Sequence, residues 1–100
     1  MFDMIRQAQV LKEKMAQFQK ELEAQSFTGT AGDGAVTVTV NGKHEVRSVM
    51  IDPRTAASGD GAMIADLVKT ALNDAGSQVN KKLKEEVGKM TGGLIPPGLL

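Results

Sequence analysis

His44 and Glu45 form the chain's one adjacent imidazole–carboxylate pair, a combination that general acid–base chemistry uses often. They follow an Asn41-Gly42 turn and enter a stretch with strand character. Neighbouring strand residues point to opposite faces, so the two cannot act together on one substrate. With one His and no Cys, a metal site has neither further imidazoles nor thiolates to draw on. Asp52 precedes Pro53 and reads as a turn former rather than a general base. Gly29, Gly32 and Gly34 precede a strand instead of a helix, which removes the dinucleotide-binding reading. No Ser/His/Asp or paired-carboxylate arrangement stands out. The expectation is a protein that is not an enzyme, with no metal, no cofactor and no small-molecule substrate.

The remaining chemistry belongs to the cations. Twelve Lys and Arg balance twelve Asp and Glu, so phosphate binding has to come from local clustering rather than net charge. Three Phe with no Trp or Tyr leave few platforms for stacking unpaired bases. Duplex DNA, held through its phosphates, passes both filters. Arg6, Lys12, Lys14 and Lys20 lie in the first helical stretch, and Lys81, Lys82, Lys84 and Lys89 in the last. Glu13, Glu21, Glu23, Glu85 and Glu86 are interleaved with them, so the competing reading is a solvated surface on a protein–protein scaffold. Two copies of each cluster in a dimer favour phosphate contacts, strongly salt-dependent and weakly sequence-specific. Arg6 is the best candidate for a groove contact, because its planar fork pairs bidentately with guanine.

The elements that must position these residues are legible in the apolar pattern. Residues 3–25 contain no Gly or Pro, and Met4, Ala8, Leu11, Met15, Phe18 and Leu22 recur at alternating spacings of four and three. That is a heptad seam, with Ala8, Met15 and Leu22 at a and Met4, Leu11 and Phe18 at d. The helix is about 35 Å long at ~1.5 Å per residue. Such a narrow stripe suits a dimer contact with a partner helix, the alternative being the sheet of its own subunit. Residues 27–31 read as a strand and Gly32-Asp33-Gly34 as a turn.

Val36, Val38 and Val40 alternate with Thr37 and Thr39, the period of a half-buried strand. Asn41-Gly42 then supplies positive φ angles for a hairpin. A three-residue loop of Asn41, Gly42 and Lys43 pairs Val40 with His44 and Val38 with Val46, keeping valines together. The parity of Val49 and Ile51 then calls for a bulge near Arg47-Ser48 or a strand apolar on both faces.

Residues 54–61 read as a loop, with Ser58 or Asp60 capping a long helix whose apolar side runs from Ile64 through Ala71, Ala75 and Val79 to Val87. Gly76 marks a possible bend. Gly92-Gly93 ends the helix, and residues 90–100 form a flexible or docking tail. The whole is one domain, residues 1–100. It has neither a signal-peptide pattern nor an apolar run for a bilayer, so the expectation is a cytoplasmic protein without a membrane partner.

Several stretches resemble the YbaB/EbfC family of bacterial nucleoid-associated proteins. They are Arg6-Gln7-Ala8-Gln9 with the Lys-, Met- and Gln-rich helix after it, VTVNGKHEVRSVMIDP at residues 38–53, DLVKTALNDA at residues 66–75, and Pro96-Pro97-Gly98. The resemblance covers most of the chain. It implies an α+β fold, with a long N-terminal helix, a three-stranded antiparallel sheet and a long C-terminal helix. It also implies a homodimer with projecting helical arms that binds duplex DNA in the nucleoid. Carried over by position, the DNA contacts are Arg6, Lys12, Lys14 and Lys20, with Lys81, Lys82, Lys84 and Lys89 on the last helix.

Overall fold

The alternating VTVTVN sequence of strand β2 (Val36–Asn41) puts three valines on one face, and all three are buried. In the computed structural model, which describes residues 2–90 and residue 92, this strand is the centre of the sheet. β1 (Ser26–Ala31) and β3 (Val46–Ile51) flank it antiparallel, in the order β1-β2-β3. Before the sheet comes α1 (Phe2–Ala24), and after it a short α2 (Pro53–Ala57) and the long α3 (Gly61–Met90). The expected helix, three-stranded sheet and helix are therefore observed. The tail expected at 90–100 lies, but for Met90 and Gly92, outside the described residues.

The core is a two-layer contact between the valine face and α3. Ala71, Ala75 and Val79, at helical spacing of four, join Val36, Val38 and Val40 there, and none is more than 1% exposed. Each fully buried valine contributes roughly 1.5–3 kcal/mol. Small residues on α3 let its backbone approach β1. A Cβ added at Gly29 would lie 2.5 Å from the Ala75 amide nitrogen and closer still to the Ala71 carbonyl oxygen. Two α3 side chains also reach the outer edge of β1. The Gln78 side-chain amide donates to the Thr28 carbonyl (2.8 Å), and the Thr30 N–H donates to the Asp74 carboxylate (3.1 Å).

The hairpin differs from the expected register. Val40 pairs with Val46, Val38 with Val49 and Val36 with Ile51, and the expected bulge is present beside Arg47. The expected pairs Val40–His44 and Val38–Val46 are not formed, because the Asn41 side chain builds a longer loop. Its carbonyl oxygen accepts from the N–H groups of Lys43 (2.9 Å) and Glu45 (3.0 Å), and its amide donates to the Glu45 carboxylate (2.9 Å). These bonds satisfy a fully buried polar side chain. The positive φ falls on His44 (63°), not on Gly42. Gly42 serves close approach instead: its N–H donates to the Leu22 carbonyl (2.7 Å), and a Cβ there would sit 2.6 Å from that of Leu22.

Those contacts hold α1 by its last turn. Leu22 is buried, the Arg47 guanidinium donates to the Glu23 carbonyl (2.9 Å), and Lys43 pairs with Glu23 (3.3 Å). Toward the N-terminus the seam is uncovered, with Met4 74%, Leu11 54% and Met15 38% exposed, Ala8 exposed and Phe18 half-buried. The seam thus divides, Leu22 being satisfied within its own chain. The resulting body measures 66 × 24 × 16 Å.

One further expectation is corrected. Residues 54–61 are not a plain loop, since Pro53 starts the short α2 as a residue with fixed φ and no N–H to satisfy. The helical assignment of α3 is continuous through Gly76. Of the two candidate caps it is Asp60 that begins α3, accepting from the Met63 N–H (3.0 Å).

Candidate nucleic-acid interface

Anchored at its C-terminal end, α1 runs so that its N-terminal half lies near the C-terminal end of α3. Arg6 and Lys14 from α1 and Lys89 from α3 line one open groove of about 570 Å³, with Gln7, Val10 and Leu11. Arg6 and Lys14 are eight positions apart, so helical periodicity puts them on one face. The groove thus has three cationic rims over an apolar floor, a setting in which an anionic group keeps its charge while its carbon atoms lie on Val10 and Leu11.

The other predicted cations are distributed differently. Lys12 lines a separate shallow concavity of α1 with Gln9, Glu13 and Ala16. Lys84 lines one on α3 with Asn80, Leu83 and Val87. Lys20 and Lys81 are exposed. Lys82 and Lys84 fall on different sides of α3, so Lys81, Lys82 and Lys84 do not make one patch.

Lys82 and Lys89 share a partner, Glu86, one of the interleaved carboxylates of the sequence reading. One carboxylate oxygen of Glu86 lies 3.0 Å from the Lys82 ammonium and 3.6 Å from that of Lys89. The hydrogen bond from Lys82 holds the Glu86 carboxyl below its ordinary value, and the same bond raises Lys82. Spacings of i,i+4 and i,i+3 were the available signal. Glu86 thus ties one cation of the groove, Lys89, to the α3 surface.

Among the described residues no group of three or more His, Cys, Asp or Glu could hold a metal ion, and no helix is long and apolar enough to cross a membrane. His44, the chain's one histidine, stands at the hairpin turn with its ring edge near Gly76.

Comparison with known proteins places this architecture. Over 99 residues the chain is 40% identical to a nucleoid-associated protein of Clostridium acetobutylicum, covering 99% of this chain and 88% of that one. It is also 40% identical to a nucleoid-associated protein of Rhodospirillum rubrum over 97 residues, 96% of this chain and 91% of the relative. The crystal structure of an uncharacterized protein from Helicobacter pylori shares the fold, with a TM-score of 0.80 over 88% of this chain and 92% of that one at 23% identity. The model of the YbaB/EbfC DNA-binding family matches residues 1–94. With all three helices and the whole sheet inside that match, the chain belongs to the YbaB/EbfC DNA-binding family.

Proposed function

We propose that this protein binds duplex DNA in the nucleoid as a homodimer, through phosphate contacts of weak sequence preference, and so affects DNA organisation or gene expression. The observation that carries the reading is the meeting of Arg6 and Lys14 with Lys89, from opposite ends of the chain, in one groove. Lys12, Lys20, Lys81, Lys82 and Lys84 are the outlying contacts. Names of the relatives in Clostridium acetobutylicum and Rhodospirillum rubrum support the nucleoid assignment. Exposed Met4, Leu11 and Met15 supply apolar surface on the first arm.

The magnitude follows from the count. Two copies of Arg6, Lys14 and Lys89 neutralise about six phosphates, for a slope of roughly −5 in log affinity against log salt. Between 50 and 200 mM salt the affinity then falls by about three orders of magnitude. Fluorescence anisotropy of a labelled duplex across a salt series measures this directly. Arg6→Glu combined with Lys89→Glu abolishes binding while leaving the circular dichroism spectrum intact, and Lys81→Glu with Lys82→Glu weakens it. A flat salt dependence, or unchanged binding by the first double variant, refutes the assignment. A folded protein with no affinity for duplex at low salt replaces it with the scaffold reading.

A further inference from the structure

The groove between α1 and α3 is more apolar than phosphates require, and we propose that residues 93–100 of the same chain fold back into it, lying on Val10 and Leu11 until duplex DNA displaces them. This rests on the reading of that groove as a DNA contact and adds what regulates it.

The floor of the groove is the feature that DNA leaves unexplained. Val10 is 43% and Leu11 54% exposed, between the cations Arg6, Lys14 and Lys89. A phosphate pairs with the cations and leaves the apolar floor wet, whereas an apolar occupant removes it from water. At about 570 Å³ the groove falls in the ~300–1,000 Å³ range of sites that enclose a small ligand. It has room for several aliphatic side chains.

The end of α3 delivers such side chains to the rim. α3 ends at Met90, one residue beyond Lys89, which itself lines the groove. Gly92 has a φ of 62°, and its N–H donates to the Lys89 carbonyl (3.3 Å). A left-handed glycine just past a helix turns the chain off the helix axis. The chain therefore leaves α3 at the edge of the groove instead of prolonging the arm. Residues 93–100, GLIPPGLL, come next. Extended at ~3.1 Å per residue they span about 25 Å. Arg6 to Lys14 covers only about 12 Å of α1 at ~1.5 Å per residue, so the reach is ample.

Composition selects this segment over other occupants. Leu94, Ile95, Leu99 and Leu100 make up half of it and none of its side chains is charged, the reverse of the composition that keeps a segment in solvent. Lys14 and Lys89 can lay their stems along it while their ammonium groups stay in water. Pro96 and Pro97 have fixed φ angles, so ordering this segment costs less entropy than ordering a free one. A second copy fits the groove poorly, because a two-fold contact there sets Arg6, Lys14 and Lys89 against the same three cations.

Paramagnetic broadening in the full chain tests this, since the sequence has no Cys and a single nitroxide can be attached through Leu100→Cys. The amide signals of Gln7, Val10 and Leu11 then lose most of their intensity, while those of Ala35 and Leu67, beside Gly32 at the far end of the sheet, keep theirs. Leu94→Ser with Ile95→Ser, outside the core, restores the lost signals. Broadening that spares Val10 and Leu11 overturns the inference. So does broadening seen on isotope-labelled chains mixed with separately spin-labelled ones, which puts the segment on a neighbouring copy. Added duplex restores the signals, and removing residues 93–100 raises duplex affinity several-fold with the salt slope unchanged, because no charged side chain leaves. Duplex that binds without restoring the signals overturns the displacement. A chain that shows the broadening and ignores duplex refutes the DNA reading and leaves the docked segment standing.

Discussion

Replacing Gly29 by alanine adds one methyl group where β1 touches α3, and the obstacles on the far side are main chain. The new Cβ would stand 2.5 Å from the Ala75 nitrogen and nearer to the Ala71 carbonyl oxygen. No side-chain rotamer can relieve that, so the helix must withdraw by roughly 1 Å, a gap that forfeits up to half of the dispersion well of each contact it opens. The contacts at risk are those of Ala71, Ala75 and Val79 with Val36, Val38 and Val40, the centre of the core. Overpacking costs about 1–3 kcal/mol and more where nothing yields, and we expect the upper end. The gain from removing a strand glycine, roughly 0.5–1 kcal/mol, does not offset it. At ~4–8 °C per kcal/mol for a domain of this size, the melting temperature falls by about 12 °C or more. Gly88→Ala is the control, because a Cβ there meets nothing within 4 Å, and it stabilises α3 by up to ~1 kcal/mol. Urea unfolding followed by circular dichroism, at equal protein concentration, reads both. A Gly29→Ala midpoint at or above that of the wild type refutes the close helix–sheet contact.

Asn41→Ala leaves the N–H groups of Lys43 and Glu45 without their acceptor, and the loop loses about 1–3 kcal/mol; an unchanged urea midpoint would show that the Asn41 bonds do not set the register. Glu86→Gln frees Lys82 and Lys89 from their shared oxygen, so duplex affinity rises and the salt slope steepens by up to ~0.9 in each copy for Lys82, Lys89 being already among the six contacts. Glu85→Gln removes the same charge without that ion pair and leaves the slope as it was; equal effects from the two variants would reduce the result to net charge. Since Glu86 titrates below its ordinary 4.5, the pair's contribution to the arm is present above that pH and lost as pH falls through the depressed folded value, which the helical signal of the wild type against Glu86→Gln reports.

Much of this fold was legible because its local signals agree. The Val/Thr alternation of β2 defines one buried face, and the heptad stripe of α1 defines a helix that its own sheet does not cover. What escaped were arrangements made by a single polar side chain or by distant segments. Asn41 lengthens the hairpin by bonding two residues ahead and four ahead, which no pattern of apolar residues encodes. Asp52-Pro53 has the chemistry of a turn and also of a helix start, and only the chain after it decides. The cations themselves were identifiable by type. That Arg6 and Lys14 meet Lys89 follows from the direction of α1, and that direction is fixed by Leu22 against Gly42 and by Arg47 on Glu23, contacts across long stretches of sequence. The Lys82-Glu86-Lys89 clasp, by contrast, is entirely local and was readable from its spacing.

The placement of the core between the first half of the chain and the last helix also sets an order of events during synthesis. Both hairpins are complete once residue 51 has been made, but the side chains that cover Val36, Val38 and Val40 belong to residues 71–79. At about 5–20 residues per second, the ribosome leaves that valine face bare for roughly 1–6 s after the sheet can first pair. During that interval the nascent chain offers an uncovered apolar face beside an unpaired strand, the combination that recruits holdase chaperones or neighbouring nascent chains. Commitment to the native state therefore waits on the last helix, however early the hairpins form.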